Sequence, residues 1–586
     1  MMLLDDISVA GMFHAALLRS PAAKGKIKKI EMPQLRNIDI ILPAAIPGAN
    51  RFLGGNMPLL AENEVSYIGQ PLAIVVAPSE REAEIFIHEC SVAIDEEPPA
   101  YSIETFTKDN VFEEYRFQDT ALFTGTGCTT VGNTYQTGIQ YHWPNETCGV
   151  FAEYHENGLV INVAAEDTGV VQAAVASALG KETADVKINA LPAGIHFGLK
   201  TVYPAQIACY AALAAHSCRQ SVRLLLTRDE EFLYCPKRAR SRFCISSDID
   251  KNGVVQKTKI DARYDYGAWN FWEGSNTPEG GGALKAVFTA LRQVYNLGEI
   301  EESGIAVRTN LPPAGPFCGG GISHGVFVLE NHISNIADSL NINGIDWRKE
   351  RLSKASSAFS PSNKNLLAAL LDKAGELSGY KRKRSAYKAL GNCPEDEIIP
   401  RRGIGIALVS LEAALPAVAV IEAEIDKVGY TPLMRGLWLI IAVPVSEKRR
   451  PIQSPAPRHP SKRPQKAMRR AVLQGTNAAL GWASSEKIEY LNGRLVPDIS
   501  SDYRILKPSE MPAVHIEFTE YTPAEGEPKP EEEVLLDLLR QTPFHIVPSA
   551  FLQAISQAAQ HEFVKIPLSA ANIWNFLRKQ PAWSAL

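Results

Sequence analysis

The segment Tyr67-Ile68-Gly69-Gln70-Pro71-Leu72-Ala73-Ile74-Val75-Val76-Ala77 constrains this chain more than any other. A turn carrying glycine and proline halts the preceding chain, and an unbroken apolar run of strand length leaves it. Its neighbours have the same grain: short strands are expected at 13–18, 27–31 and 38–42, with Pro47-Gly48 and Gly54-Gly55 as punctuation. A helix over 80–86 follows Pro78-Ser79, and the Ser79 hydroxyl can cap it. The first hundred residues therefore read as a small α+β unit. With 586 residues the chain is too long for one core, so three or four compact units are expected.

Beyond that unit a strand at 159–164 leads to a helix at 170–179 ended by Gly180, the usual glycine past a helix C-terminus. A second helix, 204–215, opens on Pro204, where a missing N–H costs nothing. Ala205, Ala208, Ala211, Ala212 and Ala215 give it a small-residue face for close packing under a sheet. Strands at 222–227 and 257–265 extend the pattern. Glycine-rich stretches at 280–282 and 315–325 come next, and the second precedes a helix over 326–340 with Phe327, Ile333, Ile336, Ala337 and Leu340 toward a core. Residues 355–400 are polar and helical in pattern. Strand-like runs at 403–409, 417–426 and 437–443 imply a second α/β lobe, and two amphipathic helices are expected at 548–560 and 570–577.

Composition removes several classes of function. A hydrophobic content of 45%, a charged content of 21% and a net charge of −5 describe an ordinary globular protein rather than a disordered one. No apolar run approaches the roughly eighteen residues needed to span a bilayer. Residues 1–10 carry Asp5 and Asp6 and make a poor secretory signal, so the cytoplasm is the expected location and no membrane partner is expected. The nine cysteines are scattered without a Cys-x-x-Cys pair and read as reduced thiols. That scatter predicts no iron–sulfur or structural zinc site of the usual spacing here, because clustered thiolates are needed to surround either. One segment departs from the rest: 448–470 holds nine Lys/Arg residues, with several prolines and no acid. It is compatible with nonspecific contacts to RNA or phosphate. A solvated loop running into a helix is the preferred reading, since no stacking aromatics interleave the charges.

Three segments, in order and spacing, carry a resemblance: Phe13-His14-Ala15-Ala16-Leu17-Leu18-Arg19-Ser20-Pro21, then Ile46-Pro47-Gly48, then 67–77. Together they resemble the hammerhead domain of the molybdenum hydroxylases, the xanthine dehydrogenase/aldehyde oxidase family. The similarity continues through 149–231, resumes at 309–340, and returns from Asp502-Tyr503 to Pro548-Ser549-Ala550-Phe551. It implies a mixed α+β and α/β chain, with an a/b hammerhead domain over 1–105, a linker over 106–140 and the first lobe of a molybdopterin-binding domain over 141–345. A helical connector over 346–400 and a truncated second lobe over 401–586 would complete it. It further implies hydroxylation of a heteroaromatic or aldehyde carbon, with water as oxygen donor, at molybdenum held by a pterin dithiolene. Molybdopterin, or its cytosine dinucleotide form, would be the cofactor. Electrons would leave through iron–sulfur and FAD subunits on other chains, and a homodimer is compatible with such an assembly. The protein's task would be to hold an anionic pterin, which backbone N–H groups in glycine turns and helix N-termini can do.

The chain departs from the family's motifs where chemistry is expected. A glycine-rich loop ending in Lys and Glu appears as Gly194-Ile195-His196-Phe197-Gly198-Leu199-Lys200-Thr201, with Thr201 in the acid's place. A Phe-Arg-Gly-aromatic-Gly turn appears as Phe317-Cys318-Gly319-Gly320-Gly321, so a permanently charged fork of donors has become the thiol of Cys318. A C-terminal element whose glutamate serves as the catalytic base appears as 538–543, with Gln541 in the base's position. An amide cannot take that proton, and positioned acid–base catalysis typically contributes about 10²–10⁴-fold. Glu531, Glu532 and Glu533 lie on an acidic stretch and are weak substitutes. A cofactor-contacting block normally found in the second lobe is missing, because 408–417 joins two strands almost directly. If cofactor is bound, the residues expected to hold it are Glu166, Phe197, Gly198, Lys200, Phe317, Gly319, Gly320 and Gly321. Three functions stay open: a hydroxylase subunit with impaired catalysis, a non-catalytic docking or regulatory paralogue, and a nucleic-acid binder using 448–470.

Overall fold

The computed structural model describes residues 3–34, 37–118, 128–156, 158–271, 283–292, 294–352, 361–390, 401–411, 414–426, 432–445, 463–523 and 530–579. The expected glycine stretch at 280–282 lies outside them, as does most of the basic segment; its end, from Arg463, is the start of the helix Arg463–Ser484.

The apolar run forms the strand Pro71–Ala77, buried at every position. It pairs antiparallel with Phe13–Arg19 on one side and with Asp39–Ile41 on the other. The following helix is Glu80–Glu89, and Ser79 caps it by accepting from the Glu82 N–H. Gly25–Glu31, Glu64–Val65 and Ser91–Glu96 form a separate three-stranded sheet.

The N-terminal unit is not sealed off from the first lobe. Phe13–Arg19 also pairs in parallel with Val222–Leu225, so one seven-stranded sheet runs from Asp39–Ile41 to Val186–Ala190. Residues 106–140, expected as a linker, supply the strands Val111–Gln118 and Thr129–Thr137. Both enter a six-stranded sheet with Ser241–Ile249, Val255–Gly267, Glu299–Arg308 and the short C-terminal strand Lys565–Ile566. Their alternation of polar and apolar residues was hidden by a polar outer face.

Helix starts differ most from expectation. The helix expected to begin at Pro204 is Leu199–Cys218, with Pro204 inside it. Interior proline leaves the carbonyl four residues earlier without its donor. Here that carbonyl, on Lys200, accepts the Glu166 N–H at 2.9 Å, so the helix continues without an orphaned acceptor. Likewise the helix expected over 326–340 is Gly320–Ser339. The C-terminal helix runs Glu532–Ala559 rather than starting at 548, with Pro543 and Pro548 inside it.

The second lobe is a four-stranded sheet of Arg401–Leu411, Ala414–Ile425, Pro432–Pro444 and Val514–Tyr521. The first two form a direct hairpin, with Leu411 opposite Ala414. The helix Glu532–Ala559 lies on this sheet so closely that a Cβ at Gly403 would sit 2.0 Å from the Ala554 carbonyl oxygen. Between the lobes, Gly344–Arg351, Pro361–Ser378 and Tyr380–Leu390 are helical. Inside the joint, Arg348 and Glu330 are both fully buried and pair at 2.9 Å.

Candidate functional site

The three divergent motif segments, far apart in sequence, meet in space. The Phe197 carbonyl accepts the Cys318 N–H at 2.8 Å. Phe197 and Phe317 each meet the Phe544 ring edge-on, at centroid separations of 5.9 and 5.8 Å. Phe544 stands on the helix that carries Gln541, so the Gly194 loop, the Phe317 turn and the C-terminal helix share one junction. Gln541 itself is half-buried. Glu531 to Glu533 are exposed at that helix's N-terminus, away from the junction, where acids suit the helix dipole.

Glu166 and Thr201 are brought into one contact: the Thr201 hydroxyl donates to Glu166 Oε2 at 2.6 Å. His196 Nε2 lies 3.9 Å from the same oxygen. The Gly198 N–H donates to His196 Nδ1 at 3.1 Å, which makes Nδ1 the unprotonated nitrogen. Burial, with Lys200 adding to it, holds His196 down to about 4. It is a neutral hydrogen-bonding ring at neutral pH. Burial pushes the Cys318 thiol up to about 12, so Cys318 is no thiolate nucleophile.

Glycines at the junction permit close approach of the chain to itself. Gly198, at φ +99°, would place a Cβ 3.0 Å from the Phe317 Cα. Gly319, at φ +79°, would place one 2.2 Å from Ser323 Oγ and 3.2 Å from Phe544 and His545. Four backbone donors are engaged in the same way. Gly198 N–H is bound by His196, Leu199 N–H by the His196 carbonyl, Cys318 N–H by Phe197, and Gly320 N–H by the Phe317 carbonyl at 2.7 Å. Lys200 differs, being fully buried with its Nζ 4.0 Å from Glu146 and without a hydrogen-bond partner.

Sequence reasoning missed the residue at the centre. Arg238, 2% exposed, donates from Nη2 to the Cys318 carbonyl at 2.8 Å and from Nε to Gln140 Oε1 at 3.1 Å. Its guanidinium carbon lies 4.1 Å from the Phe317 ring centre, 4.1 Å from that of Trp482 and 5.1 Å from that of Phe544. Gln140 passes the contact on, donating to Glu486, which also accepts from the Tyr503 hydroxyl at 2.7 Å. Burial lifts the Glu486 carboxyl to about 7. Three buried histidines near Arg238, namely His142, His324 and His545, are all held neutral, chiefly by burial. The only sequence hint was the basic run Lys237-Arg238-Ala239-Arg240 between a helix and a strand. Among the described residues no group of three or more His, Cys, Asp or Glu side chains could hold a metal ion, and no helix is long and apolar enough to cross a membrane.

These sheets and this junction define a two-lobed architecture preceded by a hammerhead unit. A family model described as the a/b hammerhead domain of aldehyde oxidase and xanthine dehydrogenase matches residues 2–98. One described as the molybdopterin cofactor-binding domain matches 103–352. The chain belongs to the xanthine dehydrogenase/aldehyde oxidase family of molybdenum hydroxylases. It is 25% identical over 369 residues to a probable xanthine dehydrogenase subunit of Bacillus subtilis, a match covering 60% of this chain and 48% of that protein. It therefore spans about half the length of that relative. It is 24% identical over 364 residues to the nicotinate dehydrogenase large molybdopterin subunit of Eubacterium barkeri, covering 58% of this chain and 83% of that one. The fold of quinoline 2-oxidoreductase from Pseudomonas putida 86 superposes with a TM-score of 0.81 at 16% identity, over 99% of this chain and 96% of that one. That likeness extends the shared fold through the second lobe.

Proposed function

We propose that this chain is a non-catalytic subunit of a molybdenum hydroxylase assembly, keeping the family's scaffold for docking or regulation but not its chemistry. The observation that carries this reading is the closed junction: four N–H groups of the two turns, those of Gly198, Leu199, Cys318 and Gly320, are bound by the chain's own carbonyls and by His196. The turns as built do not fit that group. Gln541 at the base's position, Cys318 at the arginine's and the direct hairpin at 411–414 point the same way. The partners this reading implies are the iron–sulfur and FAD subunits of such an assembly, in the cytoplasm.

One observation favours a second reading. Lys200 Nζ is buried without a hydrogen-bond partner, 4.0 Å from Glu146, and a hydroxylase subunit with residual cofactor would use this cation to meet a bound anion. Nucleic-acid binding gains no such support, since most of the 448–470 segment lies outside the described residues. The test is the molybdenum and pterin content of the purified chain, alone and co-expressed with candidate partner subunits. The non-catalytic reading expects a folded, metal-free protein that co-purifies with those subunits. Near-stoichiometric molybdenum would overturn it and return attention to Gln541 and Thr201.

A further inference from the structure

A pterin laid between two lobes would also tie them together, and a family member that holds none must close the same joint another way. Resting on the non-catalytic reading, we infer that Arg238 closes it: its guanidinium clasps Phe317 of the first lobe and Trp482 and Phe544 of the second, so the chain reaches its complete fold as a cofactor-free protein.

The geometry is that of a built joint. Arg238 and Gln140 come from first-lobe chain, while Trp482 and Phe544 come from the helices Arg463–Ser484 and Glu532–Ala559. The contacts run both ways across the boundary. The Trp482 indole N–H donates to the Gly138 carbonyl at 3.1 Å, and Gln140 Nε2 donates to the Ala478 carbonyl at 2.9 Å. Ser323 Oγ and His545 Nδ1 lie 3.1 Å apart beneath the Gly319 turn, at the spot a Cβ on Gly319 would fill. A planar guanidinium suits this place where an ammonium does not. It can stack on ring faces while its edge donates to carbonyls, and it sheds water more easily. The clasp holds the Cys318 carbonyl from behind, and the Phe197 carbonyl holds the Cys318 N–H from in front. Both sides of the turn are thereby fixed by protein.

The full chain is made in two hosts, one able and one unable to synthesise the pterin. For each product, Tm, amide hydrogen exchange in 317–323 and 540–546, and molybdenum content are measured. The inference expects equal Tm and equal protection from both hosts. It also expects Arg238→Met to lower Tm by roughly 2 °C and to release protection in those two segments. Arg238→Lys, which keeps the charge and loses the planar fork, is the milder variant should Arg238→Met fail to fold, and it should release the same segments to a lesser degree. A product that is protease-labile or poorly protected only when the pterin is lacking overturns the clasp, as does an Arg238→Lys protein with unchanged Tm and exchange. A product loaded with molybdenum in the competent host, yet equally stable from the deficient one, supports the clasp and sinks the non-catalytic reading.

Discussion

Two buried arginines join the lobes of this molecule by different means. Arg348 meets a carboxylate: Glu330 takes its Nε and Nη2 at 3.0 and 2.9 Å, and Ser334 and the Ile406 carbonyl absorb more of the fork. Glu330 is itself completed by the Tyr295 hydroxyl at 2.7 Å and the Leu408 N–H at 2.8 Å. Arg238 lies against ring faces and donates to the Cys318 carbonyl and to Gln140, which in turn donates to the acid Glu486. The first arrangement answers its charge locally and lies mid-helix, away from the divergent motifs. The second lies on them. The ion pair is sealed inside the joint, whereas the Arg238 guanidinium lies against the Cys318 turn, one of the segments proposed to have lost the cofactor.

Removing one side of each contact separates the two. Arg348→Met leaves Glu330 buried and unpaired, and should cost about 3–5 kcal/mol in urea unfolding, the largest effect of the series. Arg238→Met gives up ring contacts and the bonds to the Cys318 carbonyl and Gln140, so about 2 kcal/mol is expected. Equal losses would erase the distinction.

A smaller effect comes through pH. Burial, with Arg238 adding to it, holds His545 down to about 3 from an ordinary 6.5. Its folded pKa lies below its unfolded one, so its contribution is full above pH 6.5 and is lost as pH falls toward 3. Glu486 has the opposite sign: lifted from 4.5 to about 7, it contributes fully below 4.5 and less as pH rises through 7. Glu486→Gln should therefore flatten the decline in stability between pH 5 and 8 while leaving the acid side unchanged. Denaturation midpoints across that range check it; an unaltered alkaline side would place the titrating acid elsewhere. Smallest of all, Gln541→Glu at a half-buried position within the helix Glu532–Ala559 should alter stability by no more than about 0.5 kcal/mol. On the proposed reading it restores neither cofactor nor hydroxylation, as metal analysis of the variant would register.

The N-terminal unit was legible because its signals are local. The turn at Gly69-Pro71, the apolar strand behind it and the Ser79 cap each act within a few residues, and the strands fall within a residue or two of expectation. Gly180 marked its helix end for the same reason, at φ +62°. The helix starts at Leu199, Gly320 and Glu532 were not legible, because what permits them is distant. Glu166 satisfies the carbonyl that Pro204 abandons, and packing on the second-lobe sheet carries a helix through Pro543 and Pro548. The linker expectation for 106–140 failed for a related reason. A strand with one polar face resembles a loop until the sheet that buries its other face is known.

The sequence alone determined the family, through local turn and strand chemistry at the N-terminus, and it singled out Thr201, Cys318 and Gln541 as expected departures from the family's motifs. Only the tertiary structure decided that their segments meet, that the N–H groups of Gly198, Leu199, Cys318 and Gly320 are bound by the chain itself, and that Arg238 stands at the centre. A side chain's type and its near neighbours are written in order along the chain. What it faces is set by residues a hundred or more positions away, where burial changes the cost of every unpaired charge and donor.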